Sequence, residues 1–538
     1  MAALCVTSGP GAINALNGVA GAYQDSIPLL VLSGQMKSSL TVRASGLPLR
    51  TLGGQEFDIV SALDNMTKYA EMITEPQKIP FALGKAYHLA KSGRPGPSWL
   101  DLPLDIQGSF IDDDLPGFKT HAQEEYADVE KAAHHVLEKL RSAERPVLYA
   151  GNGIRLAGAA PLVEELAQRL SMPVVTCWDS IDLIATEHPY YCGRGGTMGD
   201  RAGNFAVQNS DLLLSIGSRL SIYQVGYDVR LWARAAYTIV NDIDPAELKK
   251  PTIRVDYPVC ADAADFMRAL LSAAKEDEPK ENGAWLAQCR RWKSEYPVVR
   301  REQKEAAGKT NVYAFMDALS RALPEGSITV VTNGSASVVG SQSYFIKEGS
   351  RFLMNCGISS MGYGLPAAVG AAVASGESVV CLEGDGSIMM NLQELQTVVT
   401  NRLPVKLFVI NNNGYHQIRQ TQKNVFGNAL VGVGPESGDL GFPSFERIAQ
   451  AFEMPYIKIS SNAELHEKIA QALREPGYVL TEVFVTEEQK FEPKSATKRL
   501  PDGRLTSPPL EDLAPFLPRE ELARNMYIPL IEPDGGKA

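Results

Sequence analysis

The sequence offers no cysteine framework. Its seven cysteines, at positions 5, 177, 192, 260, 289, 356 and 381, are scattered over 538 residues, odd in number and in no CxxC arrangement. That argues against a disulfide scaffold and a zinc site, and leaves most of them as small core residues. Long apolar runs are missing as well. None approaches a membrane span, and Met1-Ala2-Ala3 carries no charged stretch ahead of an apolar one, so neither a spanning helix nor a signal peptide is expected and the default location is the cytoplasm. Basic residues are not in excess. Lys and Arg number 52 against 63 Asp and Glu, a formal net charge of −11, which disfavours nucleic acid as a partner. Repeats and low-complexity tracts are absent too. What is present is an ordinary globular composition, 44% hydrophobic and 21% charged, in a chain long enough for about three domains.

The chain is organised around Glu383-Gly384-Asp385-Gly386-Ser387 and Ile410-Asn411-Asn412-Asn413-Gly414. The apolar run Ser378 to Leu382 reads as a buried strand that delivers Gly-Asp-Gly to its carboxyl end, where open α/β sheets bind ligands. There Asp385 can offer a hard oxygen to Mg²⁺. The amides of Gly386 and Ser387, opening a helix expected from Ile388 to about Thr400, can hold phosphate oxygens. A second strand, Val405 to Ile410, ends in the asparagines. Twenty-four residues separate Gly386 from Asn411, the length of a helix plus the return to a neighbouring parallel strand, so both strand ends reach one rim.

In chain order, strands are expected at Ala3 to Thr7, Pro28 to Leu32 and Trp99 to Leu102, with Ser8-Gly9-Pro10-Gly11 as a tight strand-to-helix turn. An acidic linker with Pro and Gly runs from Gly108 to about Asp128. Strands at Arg145 to Ala150, Pro173 to Cys177, Asp211 to Ile216 and Ala236 to Val240, with the helix Pro161 to Leu170, then define a central parallel sheet. Its glycine turns, Arg219 and the acids Asp242 and Asp244 suit a dinucleotide. Ala273 to Ala307 is read as a solvated, charged helical connection. Strands at Ile328 to Thr332, Phe352 to Asn355, near Tyr456 and at Tyr478 to Val485, with a glycine-rich helix from Met361 to Ala374, surround the organising motif. The fold class is therefore α/β, three doubly wound parallel-sheet domains over residues 1–108, 128–272 and 310–488. The proline-rich tail, 489–538, is expected over the surface or near a site mouth, with one short helix inside Leu517 to Met526.

The GDG and NN spacing resembles the diphosphate and magnesium motif of thiamine diphosphate (ThDP) enzymes. The resemblance implies ThDP on Gly384, Asp385, Gly386 and Ser387, and Mg²⁺ on Asp385, Asn412 and the Gly414 carbonyl. The SGPG turn, Ala22-Tyr23-Gln24-Asp25-Ser26-Ile27-Pro28 and Gly93-Arg94-Pro95-Gly96-Pro97 resemble the pyrimidine-binding domain of acetolactate synthase-like members. In that family this domain begins well upstream and carries there the glutamate that activates the cofactor. The sequence starts inside it, which implies slow turnover, or a binding protein without turnover. Ser359-Ser360-Met361-Gly362 resembles the segment whose backbone, at Ser359 and Met361, grips the pyrimidine while a bulky side chain, here Met361, folds the cofactor. Gly193 to Asp200, with Gly195 and Gly196, resembles the flavin-binding stretch of the central domain, so FAD is expected with Arg219 and Asp242. The family's cofactor lies between subunits, which implies a homodimer or homotetramer.

The implied reaction is decarboxylation of a 2-oxoacid, pyruvate by default, and transfer of the acyl carbanion equivalent to a ketone. Thr421 stands where acetolactate synthase has a tryptophan, and Gly54, before Gln55, where a phenylalanine is usual. Both pocket walls are small. Arg50 to Glu56 and Pro515 to Glu521 resemble ThDP proteins of bacterial surface-polysaccharide clusters, one of which acts on a nucleotide-linked ketosugar; acetolactate synthase proper is the alternative. His416 and Arg419 could face the acceptor, but a solvated loop histidine and a surface arginine are the preferred reading of each.

Overall fold

The computed structural model describes residues 1–120, 126–276, 280–427, 429–499 and 505–531. Three parallel sheets carry the architecture. The first holds β1 (Ala2–Val6), β2 (Leu29–Gln35), β3 (Tyr69–Met72) and β4 (Pro97–Pro103) in the order β1-β2-β4-β3. The second holds β5 (Pro146–Ala150), β6 (Val174–Thr176), β7 (Tyr191–Arg194), β8 (Leu212–Ile216), β9 (Tyr237–Asp242) and β10 (Tyr257–Cys260), ordered β10-β9-β8-β5-β6-β7. The third holds β11 (Ile328–Val331), β12 (Arg351–Met354), β13 (Val379–Gly384), β14 (Val405–Asn411), β15 (Tyr456–Ile459) and β16 (Val479–Phe484), ordered β12-β11-β13-β14-β16-β15.

Each sheet is covered on both faces, because its central strands are apolar at successive positions rather than at alternate ones. In the second sheet Leu148, Leu212 and Leu214 enter one core while Val147, Tyr149 and Leu213 enter another. In the third, Val380, Leu382, Phe408 and Ile410 face one core and Val379, Cys381, Leu407 and Val409 the other. The first sheet divides likewise, Val31 and Trp99 against Leu30 and Leu100. These are three doubly wound α/β domains.

By its internal packing the chain forms two units, Met1–Glu125 with Asn355–Ser360, and Tyr126–Met354 with Met361–Ala538. In the first, α1 (Pro10–Gln24) follows β1 through Gly9, whose φ of +57° and whose absent Cβ, which would fall 2.0 Å from the Gln55 carbonyl, both require glycine.

Several segments depart from the reading of the sequence. β3, β7 and β10 were not anticipated; Glu71, Gly193 with Arg194, and Pro258 interrupt them, so no apolar run marks them. The segment from Ala273 to Ala307 is no solvated connection. Its helix Gly283–Glu295 buries Trp285, Cys289 and Trp292, spaced by four and three residues, in the second sheet's core, while charges occupy its other faces. The tail is anchored there too. Leu510, Leu513 and Leu522 join that core, and between them buried Glu511 pairs with Arg234 at 2.7 Å. Three leucines spread among prolines and charges give no periodic signal, so sequence pattern understates their burial. The helix expected from Ile388 to Thr400 is broken into a 3₁₀ turn, Ile388–Met390, and a helix, Glu394–Thr400. Asn391 breaks it by donating its side-chain amide to the Gly362 carbonyl at 2.8 Å. The preceding glycine-rich helix is Gly364–Ser375, leaving Met361 and Gly362 in the turn before it.

Candidate active site

In the third sheet the chain leaves β11 toward β12 on one side and takes up β13 on the other. Crevices outside the carboxyl ends of such diverging strands are where open α/β sheets bind ligands. A cavity of about 200 Å³ opens there, lined by Asn333, Gly334 and Ser335 after β11, Gly384 to Ser387 after β13, and Asn412 and Gly414 after β14. Met361 and His416 also line it.

β13 and β14 pair in register through Gly384 and Ile410, and the Asp385 amide donates to the Ile410 carbonyl at 3.2 Å, which brings the two motifs level. Asp385 is buried. One carboxylate oxygen accepts from the Gly386 amide at 3.0 Å and the other from the Gly414 amide at 2.8 Å. Burial pushes its carboxyl up to about 7 against the pull of those amides. Asn412 lies beside it, with Oδ1 buried and without a hydrogen-bond partner. An unpaired buried amide oxygen costs about 1 to 3 kcal/mol and calls for a ligand.

The donors here are one carboxylate, one amide oxygen and the backbone around Gly414, all hard oxygens that suit Mg²⁺. Among the described residues no three His, Cys, Asp or Glu side chains converge as a metal site. Gly414 (φ +140°) lets this loop pass under Val433, whose carbonyl would stand 1.9 Å from a Cβ.

Beneath the loop lies Arg419, 1% exposed, which donates to the carbonyls of Asn412 at 3.1 Å and Asn413 at 2.8 Å and pairs with Glu436. It is a buried scaffold, not a surface arginine. His416 is buried as well, its Nε2 at 2.6 Å from the Gln489 carbonyl, and burial holds its pKa below the usual value. Both were misjudged because loop residues are read as solvated, and only the fold of Val433 to Ser437 over Arg419, and of Gln489 and Phe491 against His416, removes the water.

The phosphate side also differs in detail. The Gly386 amide already serves Asp385, and the Ser387 hydroxyl accepts from the Gly362 amide at 2.9 Å and bonds Thr332 at 2.8 Å. Ser387 thus ties the Met361 turn to the motif. An open helix N-terminus comes instead from Ser335–Ser343, whose first residue keeps a buried hydroxyl without a partner. Asn333-Gly334-Ser335 was missed, although strand, glycine, then helix repeats the signal that singled out Gly-Asp-Gly.

Of the other residues singled out from the sequence, Met361 reaches the cavity, 40% exposed. Ser359 and Gln55 belong to the first unit and both take a positive φ, +54° and +60°. Glu56 holds the Gln55 loop by accepting from the amides of Val42, Leu52 and Gly53. At the second sheet, Gly195 and Gly196 follow β7, Arg219 follows β8 and Asp242 closes β9, all at carboxyl ends. The glycines there are occupied by the chain. A Cβ on Gly195 would fall 2.8 Å from the Tyr149 ring, and one on Gly196 2.4 Å from the Tyr223 carbonyl.

Comparison with known proteins agrees with this geometry. Residues 1–62, 133–270 and 332–483 match the N-terminal TPP binding domain, the central domain and the C-terminal TPP binding domain of thiamine pyrophosphate enzymes. The chain belongs to the thiamine pyrophosphate enzyme family and is a carboligase-type transferase within it. It is 32% identical over 526 residues to a probable acetolactate synthase large subunit of Methanocaldococcus jannaschii, covering 94% of this chain and 84% of that one. It is 30% identical over 519 residues to the acetolactate synthase isozyme 2 large subunit of Escherichia coli (95% and 88% covered), and 31% over 514 residues to the chloroplastic acetolactate synthase 2 of Zea mays (91% and 76%). Among the described residues no helix is long and apolar enough to cross a membrane.

Proposed function

We propose that the chain decarboxylates a 2-oxoacid, pyruvate by default, and joins the remaining acyl unit to a ketone bulkier than pyruvate, with ThDP and Mg²⁺ in the third-sheet cavity. The observation that carries this reading is the partnerless buried Oδ1 of Asn412 beside the Asp385 carboxylate. Asp385, Asn412 and the Gly414 carbonyl would hold Mg²⁺, Gly384 to Ser387 and Ser335 would border the diphosphate, and Met361 would support the bend of the cofactor. When bound, ThDP supplies the electron sink for the pair left by departing CO₂. The protein's part is to exclude water and to orient the acceptor carbonyl toward the new carbon–carbon bond.

A large acceptor is supported by two openings. A Cβ on Gly54 would meet nothing within 4 Å, and Thr421 is exposed on the helix His416–Phe426. The name of these relatives, acetolactate synthase, makes pyruvate the competing acceptor. Incubating the protein with pyruvate and a graded series of ketones, nucleotide-linked ketosugars included, separates the two. The reading expects mixed products to dominate; acetolactate as the sole product in the presence of every ketone contradicts it.

We further propose that FAD lies across the second sheet's rim near Arg219 and Asp242, since the glycine turns themselves are filled. Flavin released on denaturation would support this, and a colourless protein that takes up no added FAD would remove it. A homodimer is proposed on the family resemblance, to be measured by light scattering.

A further inference from the structure

The motif Ala22-Tyr23-Gln24-Asp25-Ser26-Ile27-Pro28 is left without a task by the reaction just described. In the structure it meets the segment Asn355–Ser360. Asn17, Gly21, Gln24 and Asp25 follow one another along one face of α1 and its end, and this face receives the segment. One Asp25 carboxylate oxygen accepts from the Gly357 amide at 2.7 Å, and the other accepts from the Asn355 side-chain amide. Asn355 Oδ1 accepts from the Ser360 amide at 3.4 Å, and the Ser360 hydroxyl donates to Asn17 Oδ1 at 2.8 Å. Two glycines permit the approach. A Cβ on Gly21 would stand 3.2 Å from Asn355 Nδ2, and one on Gly357 would stand 2.4 Å from Gln24 Cβ.

Between the fixed ends sits Ser359, a non-glycine residue at φ +54°, whose amide donates to the Asn355 carbonyl at 3.0 Å. A left-handed backbone at such a residue costs on the order of 1 kcal/mol or more and persists only where the surroundings over-determine it. Asn355 is 6% exposed, whereas Ser359 itself is exposed, so the buried bonds lie at the foot of the turn and its tip is presented outward.

We propose that Asp25 and Asn355 form a clasp that presets the backbone of Ser359 for the pyrimidine end of the cofactor, with Asp25 a positioning residue. This rests on the reading of the chain as a ThDP enzyme whose Ser359 backbone meets the pyrimidine. Without the clasp only a fraction of molecules has the turn formed, and the apparent dissociation constant rises by the inverse of that fraction, about tenfold if one molecule in ten remains competent.

The test titrates the whole chain with ThDP, and separately with inorganic pyrophosphate, each with saturating Mg²⁺, in a calorimeter. Asp25→Ala should weaken ThDP about tenfold or more while leaving pyrophosphate within about twofold, because the clasp acts on the pyrimidine turn and not on the diphosphate cradle. Asn355→Asp, which sets two carboxylates face to face, should weaken ThDP at least as much. The exchange variant Asp25→Asn with Asn355→Asp regenerates an amide-to-carboxylate bond and an acceptor for Gly357, and should regain most of the affinity. Equal ThDP affinity in Asp25→Ala and the unaltered protein overturns the clasp alone. So does equal loss of pyrophosphate, or an exchange variant that melts like the unaltered protein and still binds poorly. Failure of the unaltered protein to bind ThDP overturns the functional reading and the clasp with it.

Discussion

The second and third sheets belong to one unit, are both six-stranded and parallel, and both carry glycine turns at the strand ends, yet their rims have opposite characters. In the second, the strands diverge between β5 and β8, where the Gly151-Asn152-Gly153 and Gly217-Ser218 turns press together. A Cβ on Gly151 would fall 2.3 Å from Ser218 Cα, and one on Gly153 2.7 Å from Gly217 Cα. In the third, the corresponding crevice between β11 and β13 is open, and a Cβ on Gly384 would meet only Ser387, at 3.9 Å. The open rim keeps buried polar atoms without partners beside this space, Asn412 Oδ1 and Ser335 Oγ; the closed rim has its own, Asn241 Oδ1 and Thr176 Oγ1, but no such space around its glycines. Glycine at a strand end is thus two different devices, one that lets the chain pack on itself and one that leaves room for a ligand. Only the second leaves a cavity within the crevice itself, whereas a ligand at the closed rim, as proposed for FAD, would have to lie across it.

The contrast can be broken by substitution. Arg419→Met should have the largest effect on stability, about 3 kcal/mol or more in denaturant unfolding, because it strands the carbonyls of Asn412 and Asn413 as well as Glu436. Glu436→Gln should cost less, since that carboxylate is 34% exposed. A loss below about 1 kcal/mol for Arg419→Met would mean that the open rim is not held by this guanidinium.

The first sheet's rim sharpens the contrast through pH. Its buried carboxylate, Asp101, is already paired, accepting from the Ser33 hydroxyl at 2.5 Å and the Gln35 amide at 2.9 Å. Burial nevertheless pushes it from 3.8 up to about 6. A carboxyl raised on folding contributes stability that is complete below about pH 4 and is lost as the pH rises through about 6, a span of up to about 3 kcal/mol for two units. Asp101→Asn removes that loss. Unfolding measured at pH 4.5 and 7.5 should therefore move in favour of the variant as the pH rises, and a constant difference would contradict the assignment.

Smaller effects separate the two glycine devices. Gly151→Ala overpacks the closed rim and should cost about 1 to 3 kcal/mol, whereas Gly384→Ala should stay within about 0.5 kcal/mol because its Cβ has space. Equal melting shifts in the two variants would erase the distinction.

Much of this was legible in the sequence for a physical reason. Strands covered on both faces are continuous apolar runs, so β5, β8, β13 and β14 announced themselves, and Asp385 and Asn412, the proposed metal ligands, follow such runs directly. The edge strands β3, β7 and β10 were illegible because Glu71, Gly193 with Arg194, and Pro258 interrupt their apolar residues, whereas the equally short edge strand β12 keeps its own together. The burial of His416 and Arg419 was illegible for another reason. What covers them, the Val433 to Ser437 loop on Arg419 and Gln489 with Phe491 on His416, arrives only through tertiary structure, and nothing in the spacing of the two residues encodes it. The same limit explains Gly195 and Gly196. Sequence gives the glycines, but only coordinates say whether a ligand or Tyr149 and Tyr223 occupy the space.

The account stands or falls on the open rim as the site of ThDP and Mg²⁺. Calorimetric titration of the whole chain with ThDP, run with Mg²⁺ and again with the metal chelated, tests it most directly when repeated on Asp385→Ala and Asp242→Ala. Binding should require the metal, weaken at least about a hundredfold in Asp385→Ala, where a charged ligand is lost, and be unchanged in Asp242→Ala on the closed rim. Binding that ignores chelation, or that survives Asp385→Ala and fails in Asp242→Ala, would contradict it.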